Sequence, residues 1–165
     1  MKTIFMSIRP KHLCNILNFK KTFELRTRFP KDFRGWVYLY CTKAKPYLLD
    51  FGDCEYPYKN GGYELSNIID DNIIRHEADI LNGKVVARFW VDDVERLFNA
   101  KYFGFNDEFL DSACLTQCQL DKYVGENKRF YAIHIAKLEI FDASKTLADF
   151  GLTRAPQSWC YVEER

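Results

Sequence analysis

The sequence predicts an α+β fold, a small mixed or antiparallel β-barrel with flanking helices. Strand-like and helical segments follow one another without regular alternation, which argues against a doubly wound parallel sheet. Hydrophobic residues make up 47% and aromatic residues 16% of the 165 residues, enough to build one well-filled core. We therefore predict a single domain spanning residues 1–165.

The first predicted elements are a short strand over residues 3–7 and a helix that follows it. Pro10 suits the first position of a helix, and Asn18 suits its end. Between them, Leu13, Ile16 and Leu17 recur at the spacing of one apolar stripe. The helix should therefore pack this stripe against the core.

Two further strands are predicted from alternation. In the first, Phe23 and Leu25 point one way while Glu24 and Arg26 share the other face. Gly35 opens the second, over residues 36–42, where one face carries Val, Leu and Cys and the other is aromatic.

An irregular insertion is predicted at about residues 44–83. It is rich in Tyr and turn residues, with a helix considered near residues 68–81. About 40 residues rarely fold alone, so it is not expected to be a separate domain. Insertions of this length often carry recognition elements.

Strands return at Lys84 and over residues 130–141, with a helix between them. Thr116 and Gln119 form a capping box at the start of that helix, and Gly125 marks its end. A short segment at 147–150 and a strand-like aromatic tail at 156–164 complete the chain.

Positive charge is concentrated near the N-terminus. Residues 1–45 hold eleven Lys and Arg against two acids, a net of +9, while the remainder has a net of −8. Within this part, residues 18–28 read NFKKTFELRTR, a basic cluster around Glu24. Such asymmetry favours contact with nucleic acid, the alternative being a solvated surface without a partner.

Several classes of protein find no support in the sequence. The start lacks the apolar core of a signal peptide, and no window approaches the ~20 apolar residues of a membrane helix, so we expect a cytoplasmic protein without membrane contact. The six scattered cysteines are expected to be reduced, and the CxxxC pair Cys114 and Cys118 is weak support for a metal. Nucleotide-loop, zinc-protease and serine-hydrolase motifs are absent, so no cofactor is predicted.

Residues 7–30, reading SIRPKHLCNILNFKKTFELRTRFP, resemble the start of an ASCH domain, a family with a PUA-like β-barrel and the signature GxKxxExR. The signature falls on Phe19, Lys21, Glu24 and Arg26, so three of its four positions match. Residues 37–43, VYLYCTK, resemble a later strand of the family. The tail RAPQSWCYVEE resembles the closing segment of ASCH proteins encoded by phages and prophages.

The chain departs from the family pattern at two places. Phe19 stands where the signature has glycine, so a bulky residue must form the turn. It could narrow the mouth of a pocket or simply cap the helix differently. One bacterial branch resembles amidohydrolases that deacylate N4-acetylcytidine with the motif lysine, a threonine three residues later and a distant glutamate. Here Glu24 holds the threonine position, and a carboxylate cannot form an alkoxide nucleophile.

The resemblance implies an RNA-binding or modified-nucleoside-binding domain, acting in RNA metabolism or regulation, with a cleft floored by Lys21, Glu24 and Arg26. Stacking and base-edge contacts would add selectivity. The predicted phosphate contacts are Arg9, Lys11, Lys20 and Arg28, and the predicted base contacts are Tyr40, Gln157, Ser158 and Trp159, with Trp36 and Tyr161 as further stacking candidates.

Two other functions stay open. One is a small metal-independent hydrolase, either an N4-acetylcytidine amidohydrolase-like enzyme or a ribonuclease, in which Lys21 is acid, base or electrophile, Glu24 the general base and Arg26 a second cation. The other is a regulatory module that docks a protein partner. Plain structural interpretations also stand: Lys21 as an exposed turn lysine, Glu24 and Arg26 as a surface pair, the aromatic residues as core, and His134 as a satisfied core or edge histidine.

Overall fold

The computed structural model describes residues 2–52, 62–69 and 79–163. The elements in chain order are β1 Lys2–Ile8, α1 Pro10–Leu17, β2 Phe23–Arg26, β3 Gly35–Cys41, β4 Tyr47–Asp50, β5 Tyr63–Ser66, β6 Asp79–Ile80, β7 Val85–Asn99, α2 Asp107–Ala113, α3 Gln117–Val124, β8 Lys128–Lys145, a 3₁₀ turn Ala148–Phe150 and β9 Trp159–Glu163.

A six-stranded sheet forms the centre of the fold, in the order β2-β8-β7-β3-β1-β9. β1 and β3 are parallel, with Phe5 opposite Tyr38, and the other neighbours are antiparallel. β7 and β8 form a long antiparallel pair, connected through α2 and α3, whose register shifts at three places, including between Val91 and Val94. The mixed α+β architecture is as predicted.

The described strands do not close into a barrel, contrary to the prediction. β2 and β9 are the two edges of the sheet and have no backbone pairing with each other. β2 contains only four residues, and all four pair with β8. A barrel would have needed backbone pairing between β2 and β9, and side chains join these edges instead.

α1 confirms the predicted helix. Pro10 occupies its first turn, and the stripe of Leu13, Ile16 and Leu17 is buried in the main core. The helix ends at Asn18, and Phe19 follows in a left-handed conformation with φ 59°. This core lies on the inner face of the sheet, the face that α1 covers.

The insertion at about 44–83 is more regular than predicted. Its described residues contain a second sheet of three short strands, in the order β5-β4-β6. Leu48 and Leu81 are buried in the main core, so these residues pack against the rest of the molecule. Residues 70–78 of the considered helix lie outside the described residues, and Asp79–Ile80 is a strand.

α2 and α3 cover the outer face of β2 and β8, where Leu25, Leu120 and Phe130 are buried together. The capping box of Thr116 and Gln119 is confirmed at the start of α3. α2 was not predicted, although Asn106 caps it by accepting a hydrogen bond from the Phe109 amide. No helix within the described ranges is long and apolar enough to cross a membrane.

Candidate nucleic-acid or nucleoside site

Lys21, Glu24 and Arg26 converge into one buried cluster. The Oε1 of Glu24 lies 3.0 Å from Nη2 of Arg26, and its Oε2 lies 3.6 Å from Nζ of Lys21. The exposed fractions of the three side chains are 2% for Lys21, 7% for Glu24 and 12% for Arg26. One carboxylate therefore lies between two cations, away from most solvent.

The main-chain path explains this convergence. Glu24 and Arg26 share the inner face of β2, as the alternation predicted, because Leu25 between them packs outward against α2 and α3. Lys21 comes from the turn after α1 and donates a 2.6 Å hydrogen bond to the carbonyl of Ala113, the last residue of α2. A helix C-terminus carries partial negative charge, which favours an ammonium group there.

Arg26 connects the cluster to the opposite edge of the sheet. Its Nη2 donates to the Ser7 carbonyl at 2.9 Å, and its Nη1 donates to the Ser158 hydroxyl at 3.2 Å. The Ser7 amide donates to the Ser158 carbonyl at 2.9 Å, which fixes the approach to β9. The Nε of Arg26 is buried and has no hydrogen-bond partner among the described residues.

His12 on α1 belongs to the same surroundings, which the sequence did not predict. Burial lowers the pKa of His12, while Glu24 raises it and Lys21 and Arg26 lower it further. The Nδ1 atom is buried without a partner in the described part of the chain. His12 is therefore a neutral imidazole near neutral pH, placed among charged groups. The only sequence feature that could have identified His12 is its position two residues after Pro10, on the helix that precedes the motif.

Tyr123 on α3 is a second residue that the sequence did not single out. Its Oη donates to the Leu25 carbonyl at 3.1 Å, between the two charged residues of β2. Burial raises the pKa of Tyr123, although 47% of the residue is exposed. The two observations agree if the hydroxyl faces inward and part of the ring faces solvent.

The four predicted phosphate contacts are all exposed: Arg9, Lys11, Lys20 and Arg28. Gln157 is exposed as well, while the Ser158 hydroxyl is occupied by Arg26. Trp159 is half-buried and donates from Nε1 to the Arg28 carbonyl at 2.8 Å. This contact joins the segment after β2 to the start of β9, beside the pair of Arg26 and Ser158.

Two predicted stacking residues lie elsewhere. Tyr40 is 3% exposed and packs with Phe5 in the core on the outer face of the sheet, so it offers no ring to a base in this structure. Tyr40 alternates along β3 with the positions of Val37 and Leu39, so its side chain projects to the opposite face of the sheet. Trp36 shares the outer face and is covered by Arg88, whose Cζ lies 4.0 Å from the ring centroid.

His134 contacts Asp92 and is not part of the cluster of Lys21, Glu24 and Arg26. Its Nδ1 lies 2.6 Å from Oδ1 of Asp92, and both side chains are partly exposed. The interaction lowers the pKa of Asp92. This placement fits the plain structural interpretation of His134.

Thiol and metal chemistry receive little support from the described residues. Cys14, Cys41, Cys114, Cys118 and Cys160 are free. Cys114 follows Ala113, whose carbonyl accepts the hydrogen bond from Lys21. Burial raises the pKa of Cys114, and this favours the thiol over the nucleophilic thiolate. Within the described ranges, no group of three His, Cys, Asp or Glu residues is arranged to hold a metal ion.

The architecture, a mixed sheet with flanking helices, is shared with solved ASCH structures. More specifically, the chain has the ASCH-domain fold. It is similar to the crystal structure of ASCH from Zymomonas mobilis, with a TM-score of 0.59 and 14% identity over 98% of this chain and 88% of that chain.

Two mutant structures of that protein give the same result. A serine-to-alanine mutant has a TM-score of 0.58 and 14% identity over 98% of this chain and 89% of that chain. A tyrosine-to-phenylalanine mutant has a TM-score of 0.61 and 14% identity over 99% and 92%. No family model and no curated protein matches the chain. At this identity the likeness concerns the fold, and function has to be argued from the site.

Proposed function

We propose that the protein binds RNA or a modified nucleoside at the Lys21–Glu24–Arg26 cluster. The observation that carries the proposal is the position of Arg26. Its guanidinium group lies at the border of the buried cluster, next to Ser158, and its Nε has no hydrogen-bond partner in the described chain. Buried polar atoms usually have partners, so the hydrogen bonding of this guanidinium group is incomplete. Arg26 is also the most exposed of the three side chains, at 12%, which suits a ligand oxygen or base edge at its accessible side.

The burial of the cluster supports a role beyond stability. Removing an ammonium, a carboxylate and a guanidinium from water costs several kcal/mol per ion, and packed apolar residues often replace such groups without loss. Glu24 and Lys21 are nearly fully buried. A cluster with this desolvation cost is better explained by binding than by net stability.

The charge around the cluster supports a polyanionic or phosphate-bearing ligand. Lys21 and Arg26 exceed Glu24 by one positive charge, and the exposed cations Arg9, Lys11, Lys20 and Arg28 lie on the neighbouring segments. Such residues attract phosphate groups, while groups at the cluster would select the base.

Fluorescence anisotropy with labelled single-stranded RNA, and calorimetry with N4-acetylcytidine, test the proposal. Arg26→Gln should weaken binding by at least about tenfold, for whichever ligand the wild type binds, because a hydrogen bond from a charged group is lost. Arg34→Gln is the matched control, because Arg34 also pairs with a carboxylate, Asp93 at 3.0 Å, but on the surface. Ser158→Ala leaves the Glu24–Arg26 pair intact and should weaken binding less.

Equal binding by the wild type and the Arg26→Gln protein would contradict the proposal. A circular-dichroism spectrum and an unfolding curve for each variant separate loss of the site from loss of the fold. Failure of the wild type to bind either ligand would also overturn it.

A hydrolase is the second candidate, favoured by His12. A neutral imidazole can take a proton, while Lys21 and Arg26 can stabilise an anionic transition state. Incubation of N4-acetylcytidine and of RNA with wild type, Lys21→Met and His12→Gln proteins tests this candidate by chromatography of the products. Turnover that both variants retain would exclude these residues as catalysts, and binding without turnover would favour the first candidate.

A further inference from the structure

The inner face of β2, which carries Glu24 and Arg26, continues across β8 and β7. Arg26 lies opposite Tyr131 on β8, and Tyr131 lies opposite Arg96 on β7. Two residues further along each strand, toward the end that residues 100–127 connect, Arg129 lies opposite Phe98. Residues that face each other across antiparallel strands project to the same side of the sheet. Arg96, Phe98, Arg129 and Tyr131, which we call the β7–β8 strip, therefore share the face of Arg26.

The opposite side of the same strands confirms this assignment of faces. Leu97, Phe130 and Ala132 alternate with the strip residues and pack with Leu25 beneath α2 and α3. Strip residues point away from those helices. Tyr131 is half-buried against the main core, so the strip begins where the core ends.

The strip is exposed and combines an aromatic ring with cations. Arg96 and Arg129 are exposed, and Phe98 is 47% exposed. The Cζ of Arg129 lies 5.7 Å from the centroid of the Phe98 ring, a distance at which a cation and a ring attract. A ring held beside a guanidinium on a strand is a preformed stacking surface.

Within the described ranges, the acids near the strip are paired with other residues or project to the opposite face. Glu95 projects to the opposite face, because it alternates with Val94 and Arg96. Asp93 is paired with Arg34 at 3.0 Å, and Glu24 is already paired with Arg26 and Lys21. Among the described residues, the unpaired charge on this side, at the connected end of β7 and β8, is therefore positive, which is complementary to phosphate.

We propose that the β7–β8 strip is a second contact surface for single-stranded RNA, continuous with the buried cluster. Arg96 and Arg129 would contact phosphates, and Phe98 would stack on a base. The inference rests on the proposed function, and it selects an RNA strand over an isolated nucleoside as the ligand. An acidic protein would be attracted by the arginines but would gain little from the exposed ring.

Sheet geometry gives the reach that this requires. From Arg26 to Phe98, across two inter-strand spacings and along two residues, the straight-line distance is about 12 Å. A contact with Phe98 therefore needs a ligand that continues past the nucleotide at the cluster. Oligonucleotide length is thus the variable that separates the two surfaces.

The test measures the affinity of a uridine dinucleotide and a uridine decanucleotide, each labelled with fluorescein, by anisotropy. Phe98→Leu removes the ring but keeps an apolar strand residue, and should weaken the decamer about fivefold or more while sparing the dinucleotide. Phe98→Tyr should bind like wild type. A double Arg96→Gln and Arg129→Gln variant should lower the salt slope for the decamer by about 1.4. The matched control is Lys137→Gln with Lys145→Gln, which removes two charges elsewhere on the same strand.

Each outcome has a distinct meaning. If Phe98→Leu and the double arginine variant bind the decamer like wild type while Arg26→Gln does not, the proposed role of the strip is wrong. The proposal for the cluster is then still supported. Equal losses in the double lysine control would show a general charge effect and overturn the strip. Tighter binding of a polyglutamate peptide than of the decamer would assign the surface to an acidic protein. If the wild type binds neither RNA, the strip is overturned, and the proposed function is then decided by the titration with N4-acetylcytidine.

Discussion

Nη1 of Arg26 lies 3.2 Å from the hydroxyl oxygen of Ser158, although 132 positions separate the two residues in the chain. Arg26 ends β2, and Ser158 immediately precedes β9, the two edges of the six-stranded sheet. Four strands lie between these edges. The cluster is therefore completed only when the whole sheet has formed, and it links edges that share no backbone hydrogen bonds.

The Glu24–Arg26 pair should show strong energetic coupling. A double-mutant cycle with Glu24→Gln and Arg26→Met, measured by urea unfolding, should give a coupling of about 1 to 3 kcal/mol, because the pair is shielded from water. The same cycle on Arg34 and Asp93, an exposed pair at the same 3.0 Å, should give less than about 1 kcal/mol. Equal couplings would show that burial adds nothing here.

His12 should make stability depend on pH below its ordinary pKa. Burial lowers the pKa of His12 from 6.5 in the folded state, so the unfolded chain binds the proton more readily. The contribution of neutral His12 is then fully present above pH 6.5 and is lost as the pH falls from 6.5 toward the lowered folded value. Plotted against pH, the unfolding free energy of the wild type should fall more steeply in that window than that of His12→Gln. Above pH 6.5 the two slopes should agree.

The Asp92–His134 contact provides a contrast for the pH experiment. The His134 hydrogen bond lowers the pKa of Asp92 below 3.8, so its contribution is present above that value and is lost as the pH falls through the lowered pKa. Asp92→Asn should therefore alter the curve in stronger acid and leave the His12 window unchanged. A wild-type slope that persists in His12→Gln would assign the effect to another group.

Phe19 should be replaceable with a gain in stability. It has φ 59° and is 71% exposed, directly after the end of α1. A left-handed conformation costs a bulky residue roughly 1–2 kcal/mol, which Asn tolerates better and Gly avoids. Phe19→Asn and Phe19→Gly should raise the unfolding free energy by about 1 kcal/mol, with Gly losing part of the gain to greater freedom of the unfolded chain.

A matched substitution isolates the backbone effect at Phe19. Phe103 is 79% exposed and has no positive φ. Phe103→Gly should therefore leave stability unchanged or lower it slightly. Similar gains at both positions would attribute the change to loss of an exposed ring and not to relief of backbone strain.

Tyr123 should support β2 through its hydroxyl group. Tyr123→Phe removes the 3.1 Å hydrogen bond to the Leu25 carbonyl without creating a cavity. Loss of such a bond costs about 0.5–1.5 kcal/mol in unfolding free energy. Tyr131→Phe is a control on the neighbouring strand, since Tyr131 is also half-buried. Ligand affinity measured beside stability would show whether Tyr123 also positions the cluster.

Local patterns carried the predictions that the structure confirmed. Alternation placed Glu24 and Arg26 on one face, and the capping-box spacing located the start of α3. Both depend on neighbours within a few residues, where backbone geometry fixes direction. The match to the ASCH fold was reached in the same way, from short segments in the right order.

Long-range contacts account for what the sequence did not reveal. The Ala113 carbonyl that holds Lys21 comes from 92 positions away, and backbone acceptors leave no mark in side-chain patterns. Tyr40 has the same local pattern as an exposed aromatic residue, yet Phe5 and Phe150 cover its face of the sheet. Whether β2 and β9 pair depends on the curvature of the whole sheet, which no single strand encodes.

Binding of single-stranded RNA should weaken steeply with salt. If about five phosphates are neutralised, the logarithm of the affinity falls against the logarithm of the salt concentration with a slope near roughly −3.5. Lys20→Gln and Arg28→Gln remove exposed cations beside the cluster, so each should make the slope less negative by about 0.7. Lys145→Gln removes an exposed charge at the far end of β8 and should leave the slope unchanged. Anisotropy titrations over a series of salt concentrations measure all four proteins, and an affinity that ignores ionic strength would contradict phosphate recognition by these residues.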